Sequence, residues 1–217
     1  MRKVFQQELR EVQTRLVEIS TLVAISIDDA TLAFNESNVS LAETVISDDE
    51  KIDTATQELD ELAITILARQ QPVARDLRIV VSALRISASL ERMGDMARHI
   101  ARLARYRFPD NVVPKSLRDT FAEMGQLDVG IARKLVELLT TEDVRLADEI
   151  CNEDDKVDAL HLSVFDKVLG EKWKGGTEDT VDATLASRYH ERFADHAVSI
   201  AKKVQYLATG DWVPAER

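Results

Sequence analysis

Four pairs with an acidic residue at position i and an aspartate at i+4 recur across the two halves of the chain: Asp49 with Asp53, Glu91 with Asp95, Asp154 with Asp158, and Glu191 with Asp195. On an α-helix this spacing sets both carboxylates on one face, one turn apart. Like charges so placed oppose the helix by about 0.2–0.5 kcal/mol, and the usual relief is a Lys or Arg a turn further on. Gln57, Leu162 and Ser199 stand there after Asp53, Asp158 and Asp195; only Asp95 has close basic neighbours, Arg98 and His99. Carboxylates gathered without cationic partners suit oxygen-preferring cations, and also iron or manganese. All eight are therefore candidate metal ligands, with a divalent or transition ion (Fe, Zn, Mn or Mg) as the expected cofactor. A solvated acidic face is the plain alternative for any single pair.

The elements that must hold these residues are helices. Apolar residues recur at helical spacing almost throughout, and 7 Gly and 4 Pro in 217 residues leave few breaks. The pattern predicts six helices. The first runs from near Val4 to Asn35, and the second begins at Asn38 or Ser40 and ends before "RQQP". The third has Pro72 in its first turn and reaches Tyr106, and "RFPDNVVP" then forms a linker. The fourth covers Lys115–Leu139, the fifth is capped by Thr141, and the sixth is capped by Thr177 and stops before Gly210. The second half repeats the first. "SNVSLAETVISDDEKID" aligns with "EDVRLADEICNEDDKVD" at an offset of 105 residues, and "LERMGDMARHIA" with "HERFADHAVSIA" at an offset of 100. The fold class expected is all-α: two tandem three-helix bundles, residues 1–108 and 115–210, with a tail at 211–217. Within each bundle both acidic pairs lie about 30 Å from the interhelical turn, at 1.5 Å per residue on antiparallel helices. Each bundle is thus expected to set four carboxylates side by side.

Helix three is apolar on two sides. Ile79, Ile86, Leu90, Met93, Ala97 and Ala104 form one stripe; Leu77, Leu84 and Ala88 form a second that Glu91 and Asp95 continue. The first stripe is expected to pack inside its bundle. The second is expected to pack on the other bundle or on a second subunit, or to add to one larger core. A net charge of −11 argues against nucleic-acid binding. The single cysteine, Cys151, excludes an intrachain disulfide and reads as an inert thiol. "MRKVFQQELREVQ" lacks the apolar run of a signal peptide, and no stretch is long and apolar enough to span a membrane, so a cytoplasmic location is expected. Of His99, His161, His190 and His196, only His190 and His196 flank an acidic pair, and neither is expected to be a ligand.

These motifs resemble the PhoU family of bacterial phosphate-regulon regulators. The twin "LERMGDMARHIA" and "HERFADHAVSIA" resemble its repeated signature, "RQQPVARDLR" its connection between helices two and three, and "DDEKID" and "EDDKVD" its acidic segments. The resemblance covers nearly the whole chain. It implies two three-helix bundles related by a pseudo-twofold axis, surface metal sites at the eight acids named above, no catalysis, and homodimers. It implies negative regulation: coupling the ATPase subunit of the phosphate-specific ABC transporter to a membrane sensor histidine kinase, from the cytoplasm or the inner face of the plasma membrane. One departure is Ala194, which stands where the first signature has Gly94 and adds a methyl beside the second site. Two other classes remain open from the residues. A di-metal carboxylate enzyme needs paired Glu-x-x-His motifs, and the nearest match is the single Asp158-Ala-Leu-His161. A histidine phosphotransfer module needs an exposed histidine, and His99, beside Arg98 and Arg102, is its one candidate.

Overall fold

The computed structural model describes residues 2–209, and among these every regular element is helical. The helices are α1 (Arg2–Glu36), α2 (Val39–Gln70), α3 (Ala74–Arg107), α4 (Lys115–Thr141), α5 (Arg145–Val168) and α6 (Thr177–Thr209). The 3–4 spacing in α1 explains its length: Val12, Leu16, Ile19, Val23, Ile27 and Ala30 form one buried stripe over five turns. Asn38 caps α2 as expected, its Oδ1 accepting a hydrogen bond from the Leu41 N–H at 3.1 Å. Three other boundaries differ. Pro72 lies ahead of α3 and not in its first turn. Thr141 is the last residue of α4, and the N-cap of α5 is Val144, with Asp143 just before it accepting from the Arg145 N–H at 3.1 Å. Near Thr177, the Asp179 carboxylate takes the cap, accepting from the Gly176 N–H at 2.8 Å.

Helices α1–α3 and α4–α6 form two three-helix repeats that share one continuous core. α2 packs on α1 and α3, and α5 on α4 and α6. The repeats meet through α1 against α4 and α3 against α6. Gly125 permits the first contact, because a Cβ there would lie 2.1 Å from Cγ2 of Thr31. α3 and α6 run antiparallel, as three cross-repeat pairs show. Arg78 sits over the Tyr206 ring, His99 stacks on Tyr189 at 4.9 Å between centroids, and Arg107 bonds the buried Asp182.

The first stripe of α3 is buried as expected, and the second is not. Ile86, Leu90, Met93, Ala97 and Ala104 are fully buried in the shared core. Leu77 and Ala88 are exposed and Leu84 half-buried, so the second stripe does not pack on the other repeat. The contact between the repeats instead pairs His99 with Tyr189 and Arg107 with Asp182, while Ile79, Ala83 and Ile86 of α3 line one cavity with Val204 and Leu207 of α6.

Candidate functional site

α2 and α3 bring Asp49 and Asp95 together, and α5 and α6 bring Asp154 and Asp158 beside Glu191 and Asp195. The first cluster contains its own cation. The Arg98 guanidinium donates to both Asp49 and Asp95, and Arg92 bonds Asp95 at 3.0 Å. Asp49 is buried, which raises its pKa; Arg98 pulls it back down, and Asp53 and Asp95 push it up. Asp53 is exposed and Glu91 half-buried.

The second cluster has the acids without that arginine. The repeat offset puts Val198 where the first copy has Arg98. Arg188 bonds Glu191 and Arg192 bonds Asp195, and Arg188 also lowers the pKa of Asp158 on α5, but among the described residues no arginine bonds Asp154. Asp154 is pushed up to about 7, first by burial and then by Asp158, Asp195, Asp155 and Glu191. Burial and neighbouring carboxylates also raise Asp158 and Glu191. Asp154 Oδ1 and Glu191 Oε2 are buried without a hydrogen-bond partner among the described residues. Two orphaned carboxylate oxygens within a group of four hard donors fit an oxygen-preferring cation. Among the described residues, however, no three His, Cys, Asp or Glu side chains converge tightly enough for one ion.

A raised folded-state pKa has a definite consequence. Charging Asp154 is less favourable in the fold than in the unfolded chain, so its contribution to stability is complete below about pH 4 and is lost as pH climbs to about 7. In EDTA the melting temperature should fall across that window, and Asp154→Asn should flatten the fall. An unchanged pH profile in Asp154→Asn would show that the cluster is not repulsive.

Ala194 does not crowd the second cluster. A Cβ on Gly94 would come 3.0 Å from Cδ1 of Ile52. The second repeat has Val157 in the place of Ile52, so the methyl gained at Ala194 is offset by one lost from α5. His161 lies close enough to Asp158 to lower the pKa of that carboxylate, but none of the four histidines hydrogen-bonds one of the eight acids among the described residues. His161 Nδ1 lies 3.0 Å from Ser187 Oγ, and His196 is half-buried near Arg192 and Arg92. Burial lowers the pKa of His99, and its Nδ1 is enclosed, which does not suit a phosphoacceptor.

His190 turns away from Glu191 into the core. Its Nδ1 is 2.7 Å from Asp128 Oδ2, and the pair is 1 % and 0 % exposed beside Phe34 and Phe121. Burial pushes Asp128 up to about 6, against the hydrogen bond and charge of His190. The repeat offsets place buried Val23 and Leu90 at the same two positions of the first repeat. Neither this pair nor Arg98's bridging role emerged from motif reading, though both stand as sequence differences between the aligned copies: Asp128 and His190 for Val23 and Leu90, Val198 for Arg98.

Comparison with known proteins decides the family. The PhoU domain profile matches twice, over residues 16–104 and 121–204. The chain belongs to the PhoU family. The "Phosphate-specific transport system accessory protein PhoU homolog 2" of Mycobacterium tuberculosis (strain ATCC 25618 / H37Rv) is 42 % identical over 210 residues, 97 % of this chain and 99 % of that protein. "PhoU homolog 1" of Mycobacterium leprae is 40 % identical over 222 residues, with both chains fully covered. The crystal structure of PhoU from Pseudomonas aeruginosa superposes with a TM-score of 0.88 at 27 % identity, covering 95 % of this chain and all of that one. PhoU from Streptococcus pneumoniae gives 0.85 at 25 %, over 97 % and 99 %. The all-α architecture of two three-helix PhoU repeats thus holds.

Proposed function

We propose that this chain is a regulatory accessory protein of phosphate-specific transport that acts by docking and not by turnover. It keeps the phosphate-starvation response off when phosphate is abundant, by coupling the ATPase subunit of the phosphate ABC transporter to a sensor histidine kinase. The observation that supports this most is the match of both repeats, along nearly the whole chain, to relatives named as accessory proteins of that transport system. No helix of the described residues is long and apolar enough to cross a membrane, so a place at the cytoplasmic face comes through these partners. Exposed apolar residues at equivalent positions of the repeats, Val81 on α3 and Val181 on α6, give docking and homodimer contacts a surface.

The cation reading is kept for one cluster only. A divalent or transition ion would be drawn to Asp154, Asp158, Glu191 and Asp195, where Arg188 and Arg192 bond Glu191 and Asp195 but no arginine bonds Asp154, although among the described residues no three of these carboxylates converge on a single ion. At Asp49, Asp53, Glu91 and Asp95 the Arg98 guanidinium already supplies the positive charge. The buried His190–Asp128 pair supports the non-catalytic reading, because it lies in the core where no substrate reaches it.

Binding of the purified chain to the transporter's ATPase subunit and to the kinase's cytoplasmic portion tests the proposal. Both should bind, with association slowed by added salt, since a −11 surface steers basic partners. Phosphatase and ATPase assays of the chain alone should stay at background. Binding to neither partner, or metal-dependent turnover lost in Glu191→Gln, would contradict it.

A further inference from the structure

The seam between α3 and α6 is duplicated in its backbone but not in its side chains. Arg85 follows Arg78 by seven residues on α3, and Lys203 precedes Tyr206 by three on antiparallel α6, so the contact of Arg78 with the Tyr206 ring carries Arg85 toward Lys203. At the offset of 100, the equivalent positions hold Leu185 and Leu103. Next to the two cations stand Ser89 and Ser199. Their equivalents in the other half are Tyr189 and His99, stacked at 4.9 Å between centroids. One half of the seam is thus made with leucines and rings, the other with cations and hydroxyls.

The fold does not require those cations, since leucines serve at the same positions in the other half. Lys203 is half-buried and bonds only Ser199, at 2.9 Å to its carbonyl and 2.6 Å to its hydroxyl. Burial lowers the pKa of Lys203, Arg85 lowers it further, and among the described residues no acid acts on it. Half-buried charges are normally paired. In a chain of net charge −11, two cations set together without a carboxylate leave a place for an anion from outside.

The donors suit a tetrahedral oxyanion. The Arg85 guanidinium offers a planar fork to two oxygens, and the Lys203 ammonium adds a point charge. Ser199 accepts from Lys203 and so keeps its hydroxyl hydrogen to donate. Ser89 is buried, its Oγ donating to the Arg85 carbonyl at 3.1 Å, and it occupies far less space than the Tyr189 ring at the equivalent position.

We propose that Arg85, Lys203 and Ser199 form a binding site for inorganic phosphate in the seam of α3 and α6. The choice of phosphate among oxyanions rests on the role proposed above, whereas the anion site rests on the seam alone. Bound phosphate neutralises the two cations and ties α3 to α6. The contact that joins the repeats therefore tightens when phosphate is abundant.

Melting of the full chain tests this, in EDTA and at fixed ionic strength with chloride as the background anion. Inorganic phosphate should raise the melting temperature by several degrees, and sulfate at the same concentration by less. Arg85→Leu combined with Lys203→Leu installs the residue type that the other half uses. That variant should melt at or above the wild type without phosphate and should lose the phosphate response. Ser89→Tyr combined with Ser199→His keeps both cations, fills the space with the ring pair of the other half and should lose the response as well. A wild type indifferent to phosphate, a response that persists in Arg85→Leu with Lys203→Leu, or equal responses to phosphate and sulfate would overturn the proposal. So would capture by phosphatidic-acid vesicles that free phosphate does not diminish and that Arg85→Leu with Lys203→Leu abolishes, since the cations would then serve a membrane headgroup. These measurements use the purified chain without partners, so a failed phosphate response leaves the docking assays above to decide the regulatory role separately.

Discussion

His190→Leu alone should destabilise the protein by about 3–5 kcal/mol, whereas His190→Leu combined with Asp128→Val should match the wild type or exceed it by about 1–4 kcal/mol. The single change removes the one partner of a fully buried carboxylate and leaves Asp128 with neither oxygen bonded. The double change installs the apolar pair that the first repeat already uses at Val23 and Leu90, both buried. Urea midpoints of the two singles and the double form the measurement. Equal losses in the single and double variants would mean that the pair contributes net stability by itself, as a well-satisfied network does.

Arg98→Val is the second large effect. Asp49 is buried and Arg98 mostly so, and the substitution leaves a carboxylate cluster without its internal cation. In EDTA the variant should lose about 3–5 kcal/mol. Adding Mg²⁺ or Mn²⁺ should recover much of this, since an ion at a hundred times its Kd stabilises by about 2.7 kcal/mol. The converse change, Val198→Arg, should raise the melting temperature in EDTA and abolish any cation-dependent shift from the second cluster. A wild-type protein whose melting is the same in EDTA and in every divalent ion, together with an unrescued Arg98→Val, would remove cations from the account.

Most of the fold was legible in the sequence because periodicity reports burial. The α1 stripe and the repeat could be read directly, and so could the Asn38 cap. Helix ends were harder. Ser37, Gln71 and Glu142 sit at positive φ where a glycine would mark the stop, and no sequence signal announces a non-glycine residue held there by its surroundings. At the acidic motifs, levels along antiparallel helices placed Asp49 near Asp95, and Asp154 and Asp158 near Glu191 and Asp195, whereas Glu91 does not act on Asp49. Those levels did not foretell that Arg98 reaches across to Asp49, because a long side chain's direction depends on the neighbouring helix. For the outer stripe of α3 the sequence left the other repeat, a second subunit and one larger core open, since apolar residues invite burial without naming a partner. The contact between α3 and α6 uses other residues, among them His99 on Tyr189 and Arg107 on Asp182. The compensation of Ala194 by Val157 was likewise invisible until α5 and α6 were placed side by side.

The claim that the chain silences the phosphate-starvation response is tested most directly in a host strain lacking every PhoU-family gene, since relatives occur as homologues 1 and 2 in one organism. Alkaline phosphatase is measured in high phosphate. The account predicts derepression in that strain and silence on return of the wild-type chain. It predicts continued derepression with a chain in which Asp49 and Asp53 are both replaced by lysine and which still folds. Full repression in the strain without any PhoU-family gene would contradict the account.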